Sequence, residues 1–259
     1  RFEAVIHFAS FKAVGDSVKD PIAYYRNNLS TLLTLCEAME AQQVKRLVFS
    51  SSATVYGLSQ TMPLTEAMPI GCTNPYGWTK YMGEQILQDV AHAHRDWSVA
   101  ILRYFNPIGA HLSGLIGEDP LGTPSNLMPY VTQVALGKLP ALPIFGHDYP
   151  TADQTGVRDY IHVVDLAQGH IAACDFTARQ SGCEVFNLGT GRGCSVLDIV
   201  KTFERVNGVA VPYVFAERRP GDIASCYADV RKATALLHWR ATKTLEDMCR
   251  DAWRWQVRN

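Results

Sequence analysis

The sequence predicts an α/β protein built on a doubly wound parallel sheet, followed by a smaller mixed α/β lobe. Short apolar runs typical of buried strands, such as Leu47–Phe49 and Ser98–Tyr104, alternate with long segments of helical character. The helical segments begin at Asp20-Pro21 and Asn74-Pro75, where Asp or Asn suits the N-cap and proline suits the first helical position. Such alternation favours parallel strands joined by right-handed crossovers.

The first lobe is predicted to span residues 1–106, and its elements follow from apolar runs and helix-start signals. In order, we predict a strand over Ala4–Ala9, a loop over Ser10–Lys19, a helix from Pro21 to about Ala41, a strand over Leu47–Phe49, a loop that begins with Ser50–Ser52, a helix from Pro75 to about His94 and a strand over Ser98–Tyr104.

The second lobe is predicted to span residues 107–259, with part of 158–190 returning to the main sheet. In order, we predict a long loop over 107–125, a helix over Leu127–Leu136, a strand near Ile144-Phe145, a helix from Asp165 to Phe176, a strand over Glu184–Leu188, a helix capped by Ser195 that ends at Asn207-Gly208, a strand over Val211–Phe215 and a mostly helical segment from Asp229 onward.

Composition and charge are those of an ordinary globular enzyme. The hydrophobic content is 47%, the charged content is 19% and the formal net charge is −1. This balance does not favour nucleic acid or an anionic membrane as a partner. The seven cysteines form no Cys-x-x-Cys pair, which favours free thiols, no metal site and a cytoplasmic location.

Tyr76, Lys80 and Ser52 are the candidate catalytic residues. Tyr76 and Lys80 are four residues apart and share one helical face, while Ser52 lies at the carboxyl edge of the sheet, where such folds bind ligands. For the phenol to act as a base near neutrality, its pKa of about 10 must fall by about three pH units, or about 4 kcal/mol. A cation about 5 Å away contributes about 3 kcal/mol at an effective dielectric constant of about 20. The alternative is an ordinary surface pair, because Tyr-x-x-x-Lys is a common spacing.

The chain has no glycine-rich dinucleotide turn after its first strand. Gly189-Thr190-Gly191-Arg192-Gly193 follows one strand and precedes a helix, but Cys194 stands where a third glycine of the fingerprint is needed. We therefore predict that this segment is a strand–helix turn and not a phosphate loop.

A series of longer motifs identifies a family. They are Ile6-His7-Phe8-Ala9, Lys12-Ala13-Val14-Gly15, Tyr24-Tyr25-x-Asn27-Asn28, Ser50 to Gly57, Leu102 to Pro107, Asn126 to Tyr130, Ile144-Phe145-Gly146, Gly156 to Val163 and Arg218-Arg219-x-Gly221-Asp222. With this order and spacing, the chain resembles the UDP-glucose 4-epimerases of the extended short-chain dehydrogenase/reductase class from Ala4 nearly to its C-terminus. The resemblance implies a Rossmann-type fold, NAD as cofactor, and inversion at C4′ of a UDP-sugar through a 4-keto sugar. Such enzymes carry a glycine-rich segment ahead of the one that opens this chain, so we expect the sheet to lack its N-terminal strands.

The resemblance also implies a role for each residue, with NAD in the lobe 1–106 and a UDP-sugar in the lobe 107–259. Tyr76 takes the proton of the 4′-hydroxyl, Lys80 lowers the pKa of Tyr76 and binds the nicotinamide ribose, and Ser52 bonds to both the hydroxyl and Tyr76. The implied cofactor contacts are Phe8, Ala9, Ser10, Phe11, Lys12, Asn27, Ser50, Tyr76, Lys80 and Phe105. The implied substrate contacts are Ser52, Asn106, Asn126, Leu127, Pro143, Ile144, Phe145, Arg158, Tyr160, Arg219, Asp222 and Cys226. A homodimer formed through the helices 20–41 and 75–94 is implied as well.

Two further features bear on specificity and reaction type. Cys226 stands where some family members have a bulky tyrosine, and a small side chain there leaves room for a 2′-N-acetyl group. A 4,6-dehydratase of the same fold commonly needs an Asp-Glu pair beside the serine, whereas Ala53-Thr54 follow Ser52. A chain that binds a nucleotide sugar or a partner without turnover is the remaining alternative.

Overall fold

The computed structural model describes residues 2–59, 61–219 and 221–259. The elements of its first part are β1 (Val5–His7), α1 (Val14–Lys19), α2 (Pro21–Ala41), β2 (Arg46–Ser52), α3 (Pro75–Ala93) and β3 (Ser98–Tyr104). Those of the second part are β4 (Asn106–Ile108), α4 (Leu127–Ala135), β5 (Leu142–Phe145), β6 (Val157–Arg158), β7 (Tyr160–His162), α5 (Val163–Thr177), β8 (Gly182–Leu188), β9 (Cys194–Ser195), α6 (Val196–Asn207), β10 (Tyr213–Ala216), β11 (Ser225–Cys226), α7 (Arg231–Leu236) and α8 (Leu245–Gln256).

The main sheet has the order β1-β2-β3-β8, and its strands are parallel. Phe49 is in register with Ile101, which is in register with Val185. Helices α2 and α3 cover one face and α5 covers the other. This arrangement confirms the predicted α/β class with its doubly wound parallel sheet.

Burial on both faces explains why the central strands are continuously apolar. Leu47 and Phe49 pack toward α2 and α3, while Val48 packs with Phe186 and Trp239 on the α5 side. Alternate side chains of a parallel strand thus enter two different cores, and neither face tolerates a polar series. A third core, around Ile144 and Phe203, lies between the small sheets and α4, α6 and α8.

Caps fix the helix starts that the sequence predicts. The Asp20 side chain accepts a hydrogen bond from the Ala23 amide at 3.1 Å, and α2 then begins at Pro21. Ser195 caps α6, which ends at Gly208 with a left-handed φ of 67°. These helix boundaries can be predicted from the sequence because capping needs only residues within one helical turn.

Two differences from the sequence expectations lie in the first part of the chain. The segment Ser10–Lys19, predicted as a loop, contains the short helix α1, which packs against α2 and α3. Strand β2 extends through Ser52 instead of stopping at Phe49, because Ser50–Ser52 pair with Leu102–Tyr104 on β3. In both cases a neighbouring element supplies the stabilisation, and the local sequence does not show it.

Over the ranges that the structure describes, none of the helices is long and apolar enough to cross a membrane.

Candidate active site

Helix α3 places a stripe of functional side chains against the end of β2. The Asn74 side chain accepts a hydrogen bond from the Gly77 amide at 2.9 Å and Pro75 occupies the first turn, so the register of the helix is fixed at its start. Tyr76, Lys80 and Glu84 then follow at intervals of four residues and face the serines of β2.

Lys80 is a buried cation, not half of a surface pair. Its side chain reaches between β1 and β2, and its Nζ donates to the Ser10 Oγ and to the Ser50 carbonyl oxygen, each at 2.8 Å. The residue is only 3% exposed. Burial lowers the pKa of Lys80 from 10.5 to about 8, because the dry surroundings disfavour the charged amine.

We expect Lys80 to titrate near pH 8 in the folded protein. Because the folded pKa lies below the unfolded value, the folded state binds fewer protons between about pH 8 and 10.5, and the contribution of Lys80 to stability rises with pH across that window. The ¹³Cε NMR signal of Lys80, assigned by its loss in Lys80→Met, measures the midpoint. A midpoint near the ordinary lysine value of about 10.4 would contradict this expectation.

The protonation of Tyr76 differs from the sequence expectation. Burial raises the pKa of Tyr76, the neighbouring Tyr104 raises it further, and a hydrogen bond with Ser52 lowers it only in part. The Lys80 Nζ lies 5.7 Å from the Tyr76 ring centroid, where a positive charge favours the ionised phenol. In the chain without ligand, burial is the largest effect on Tyr76 and keeps its phenol protonated.

The three serines of β2 have three different partners. The Ser50 hydroxyl shares a hydrogen bond with the Tyr104 phenol, and the Ser51 Oγ donates to Glu84 at 2.5 Å. The Ser52 Oγ accepts from the Thr54 amide at 3.2 Å and contacts Tyr76. Ser52 is therefore the serine that meets the phenol, as predicted, while the Ser50 hydroxyl is already engaged by Tyr104.

A buried ion pair lies beneath these serines. Arg103 on β3 donates to both Glu84 carboxylate oxygens, at 2.5 to 3.1 Å, and its Nη1 donates to the Tyr56 hydroxyl at 3.2 Å. Glu84 is fully buried. Burial lowers the pKa of Arg103, but its bonds to Glu84 outweigh that effect and hold it above the ordinary value. The pair locks α3 to β2 and β3 at the level of the site.

The predicted cofactor wall forms at the end of β1. Phe8, Ala9, Phe11 and Lys12 are exposed there, and Phe8 is 54% exposed. The buried Asn28 holds this loop by accepting from the Phe11 amide at 2.8 Å and donating to the Phe11 carbonyl oxygen at 3.1 Å. The predicted residue Asn27 lies beside it and donates to the Asn28 Oδ1 at 3.0 Å, and Phe105 is buried behind the site.

The residues present fit the nicotinamide ribose end of a dinucleotide. An ammonium, a phenol and a serine hydroxyl meet at the carboxyl edge of a parallel sheet, where such cofactors bind. Two of the three Lys80 donors are satisfied by Ser10 and Ser50, which leaves one for a ligand.

A second group of predicted residues meets around Asp222. The Asp222 carboxylate pairs with Arg219 at 2.9 Å and with Arg158 at 3.6 Å. The Arg219 guanidinium lies 5.0 Å from the Phe145 ring centroid. Arg158 also donates to the Ile223 carbonyl oxygen at 2.9 Å. The result is two guanidinium groups and an exposed aromatic ring side by side, a combination suited to a nucleoside diphosphate.

Three further predicted residues, Asn106, Asn126 and Leu127, lie on β4 and at the start of α4. The Asn106 amide donates to the Asp159 carbonyl oxygen at 3.0 Å, and the Asn126 Nδ2 donates to the Glu118 Oε1 at 2.8 Å. Leu127 begins α4 and is half-buried. Glu118, Glu84, Asn28 and Tyr104 are residues near the site to which sequence reasoning gave no role. Asn28 and Tyr104 lie within the quoted motifs, and Glu84 follows Lys80 at a spacing of four.

Ile144 is placed differently from its predicted substrate contact. Its side chain is 1% exposed and packs in the core around Phe203. Pro143 and Phe145 flank it on β5, and because side chains alternate along a strand they point to the other face. The Ile144 side chain therefore faces the core and not the surface that Phe145 lines, and a substrate contact through the Ile144 backbone stays a prediction. Tyr160 is also buried, at 5% exposure.

The glycine-containing turn at 189–193 binds a carboxylate of the protein itself. Asp159 accepts from the Thr190 amide at 2.7 Å, from the Gly191 amide at 3.0 Å and from the Ala228 amide at 3.2 Å. A side chain at Gly189 would overlap the Asp159 carboxylate. The prediction that this turn is no phosphate loop is confirmed, because an internal anion occupies its amides.

The comparison with known proteins agrees with this geometry. Residues 1–189 match the family model described as the NAD dependent epimerase/dehydratase family. The chain belongs to this family. A UDP-glucose 4-epimerase of Bacillus subtilis is 63% identical over 99% of the chain and 76% of the relative. The UDP-glucose 4-epimerase of Homo sapiens is 56% identical over 100% of the chain and 74% of the relative. The resemblance drawn from the sequence motifs is confirmed.

A solved structure of a relative shows the same fold with ligands. The UDP-glucose 4-epimerase from Bifidobacterium longum, in complex with NAD+ and UDP, superposes with a TM-score of 0.94 at 53% identity, over 99% of this chain and 77% of that one. The Stenotrophomonas maltophila enzyme, with bound NAD and formylated UDP-arabinopyranose, gives a TM-score of 0.97 at 51% identity, over 99% and 76%. The Rossmann-type fold class is thereby confirmed.

Proposed function

We propose that the chain interconverts UDP-glucose and UDP-galactose by inverting C4′, with NAD as cofactor. The observation that carries this proposal is the contact of Tyr76 with Ser52, next to the buried Lys80, at the carboxyl edge of the sheet. The relatives of known structure that bind NAD and UDP or a UDP-sugar share this fold at more than half identity.

The roles of the catalytic residues follow from their surroundings. When bound, NAD supplies the acceptor and donor of the hydride at C4′. Tyr76 takes the proton of the 4′-hydroxyl and later returns it, and Ser52 orients both groups. Lys80 binds the ribose with its third donor, since Ser10 and Ser50 hold the other two. The Lys80 Nζ, 5.7 Å from the Tyr76 ring centroid, places a positive charge where it favours the ionised phenol.

The UDP portion of the substrate is assigned to the second lobe, 107–259, and NAD to the lobe 1–106. Arg158 and Arg219 suit a diphosphate because two guanidinium groups match its delocalised charge. Asp222 holds both guanidinium groups side by side. Phe145, which is 37% exposed, offers a ring for the uracil, and the buried Tyr160 supports this wall from behind. Asn106, Asn126 and Leu127 contribute polar and backbone contacts at the edge of the same site.

A coupled assay tests the proposed function directly. The chain is supplied with NAD and UDP-galactose, and UDP-glucose is measured with an NAD-dependent UDP-glucose dehydrogenase after the epimerase has been removed. We expect conversion to an equilibrium mixture of the two sugars. Binding of UDP by calorimetry without any conversion would instead favour a chain that binds nucleotide sugars and does not turn them over.

Cys226 carries a prediction about specificity, since we propose that the chain also accepts 2′-N-acetyl sugars. Cys226 is half-buried, pairs with Arg158 across the strands and packs against the cluster of Tyr56 and Phe105 behind the serines. Cys226→Tyr is expected to lower kcat/KM for UDP-GalNAc by about tenfold or more, which corresponds to about 1.4 kcal/mol, because the larger side chain fills the space of the acetyl group. Cys226→Ser is the matched control, and the hexose substrate should change by less than about threefold. Undiminished N-acetyl activity in the tyrosine variant would exclude this role.

We further propose a homodimer formed through α2 and α3. These helices pack against each other and expose Ile22, Leu33, Trp78 and Met82, with Ile22 at 65% exposure. Large apolar side chains exposed together favour burial against a second copy. Sedimentation at micromolar concentration should give a dimer mass, and Trp78→Glu should shift it toward monomer. A monomer in the unmodified protein would exclude this interface.

The free thiols of all seven cysteines support a reducing, cytoplasmic setting.

A further inference from the structure

Glu118 joins residues from the two sides of the site. It lies in the segment between β4 and α4, and its Oε1 accepts from the Asn126 Nδ2 at 2.8 Å. The same oxygen lies 3.5 Å from the Lys12 Nζ. Asn126 belongs to the proposed substrate contacts and Lys12 to the proposed cofactor wall. A single carboxylate oxygen therefore contacts both.

The segment that carries Glu118 is held in place by α8. The Arg254 and Arg258 side chains donate to the carbonyl oxygens of Leu112 and Ser113, at 2.9 and 2.6 Å. A side chain at Gly117 would overlap the Trp255 ring, so the backbone just before Glu118 lies directly on α8. The backbone that leads to Glu118 is thus held by α8 and by Arg258, which follows this helix.

The Asn126 side chain bonds to Glu118 and does not cap α4. Asn126 is the N-cap of α4, yet its side chain makes no capping hydrogen bond. An asparagine at this position ordinarily accepts from the amides of the first helical turn. Here the side-chain Nδ2 of Asn126 donates to Glu118 instead. The backbone amides of the first turn of α4 therefore receive no hydrogen bond from the Asn126 side chain.

We propose that Glu118 is a positioning residue for the nucleotide sugar. It holds Asn126 in the orientation in which its carbonyl oxygen and the first amides of α4 are available to the ligand. Without the carboxylate, the Asn126 side chain folds back to cap α4 and competes with the ligand for the same amides. The inference rests on the proposed function, because it requires that the ligand is a UDP-sugar bound at Asn126.

Calorimetric titration with UDP tests the proposal without cofactor or turnover. Glu118→Ala is expected to weaken UDP binding by about tenfold, since it frees Asn126 to cap the helix. Glu118→Gln should recover affinity to within about threefold of the unmodified chain, because its amide oxygen still accepts from the Asn126 Nδ2. Asp119→Asn removes a charge from the neighbouring position and serves as the matched control, with affinity unchanged.

A double-mutant cycle separates positioning from general charge effects. If Glu118 acts through Asn126, Glu118→Ala has no additional effect in an Asn126→Ala background, because the side chain that it positions is gone. Additive losses would overturn the proposal, and so would wild-type affinity in Glu118→Ala or failure of Glu118→Gln to recover binding. If the unmodified chain does not bind UDP at all, the proposed function fails and this inference fails with it. Binding by the unmodified chain with no effect of Glu118→Ala overturns the inference alone.

Discussion

Turnover of UDP-galactose falls by about 10²–10⁴-fold when Tyr76 is replaced by Phe, the range that a positioned acid–base group contributes. The substitution removes the hydroxyl that contacts Ser52 and leaves the ring, its burial and the helix start intact. UDP affinity should change little, because the predicted diphosphate contacts, Arg158 and Arg219, lie on other elements. The loss therefore appears in kcat and not in binding.

The measurement pairs steady-state kinetics with calorimetric UDP binding. Tyr81→Phe is the matched control, because Tyr81 lies on the same helix, packs on the edge of Trp78 and has no assigned role in the reaction. If Tyr76→Phe keeps more than about a tenth of the turnover, the Tyr76 phenol is not the acid–base group of the reaction, since the remaining groups should not supply that much rate.

Replacing Glu84 by Ala is expected to lower the free energy of unfolding by about 3–5 kcal/mol. Glu84 is fully buried and Arg103 is 4% exposed, so the substitution leaves a charged guanidinium without its partner in a dry environment. Ser51, whose Oγ donates to Glu84 at 2.5 Å, loses its acceptor as well. The loss therefore comes from unpaired polar groups as well as from the lost packing.

Urea denaturation of three variants tests this explanation. Glu84→Leu combined with Arg103→Met removes both charges and should recover part of the stability, because the cost arises from the unpaired charge. Glu246→Ala breaks the surface pair with Arg205, whose side chain is 61% exposed, and should cost less than about 1 kcal/mol. Equal losses for Glu84→Ala and Glu246→Ala would show that burial of the pair does not matter.

The sequence predicted those parts of the fold that depend on neighbouring residues. The caps Asp20 and Asn74 with their following prolines set the starts of α2 and α3, because each signal lies within one helical turn. Helix α1 was missed because the packing of α2 and α3 stabilises it. The extension of β2 through Ser52 was missed because the pairing partner on β3 lies about fifty residues away in the sequence, a relation that no local pattern shows.

Some residues of the candidate site could likewise be predicted from local patterns, and others depend on packing between distant elements. Tyr76 and Lys80 were predictable because they lie on one helix at a fixed spacing. The ion pair of Arg103 with Glu84 needed the packing of α3 on β3. The protonation of Lys80 could not be predicted, since burial sets its pKa and a sequence carries no burial. The orientation of Ile144 could not be predicted either, because adjacent side chains of a strand face opposite sides and the sequence does not show which side is the core.

Asp159 has a consequence for the thermodynamics of ligand association. Its backbone amide donates to the Cys226 carbonyl oxygen, and its backbone carbonyl oxygen accepts from the Asn106 amide. In the chain it lies between Arg158 and Tyr160. Its buried side chain is held by the turn at residues 190–191 and by Ala228. Four predicted substrate residues are thus ordered during folding, before any ligand arrives. The loss of their conformational freedom belongs to the folding reaction, so a nucleotide sugar meets a pre-organised surface and keeps more of its interaction energy as affinity.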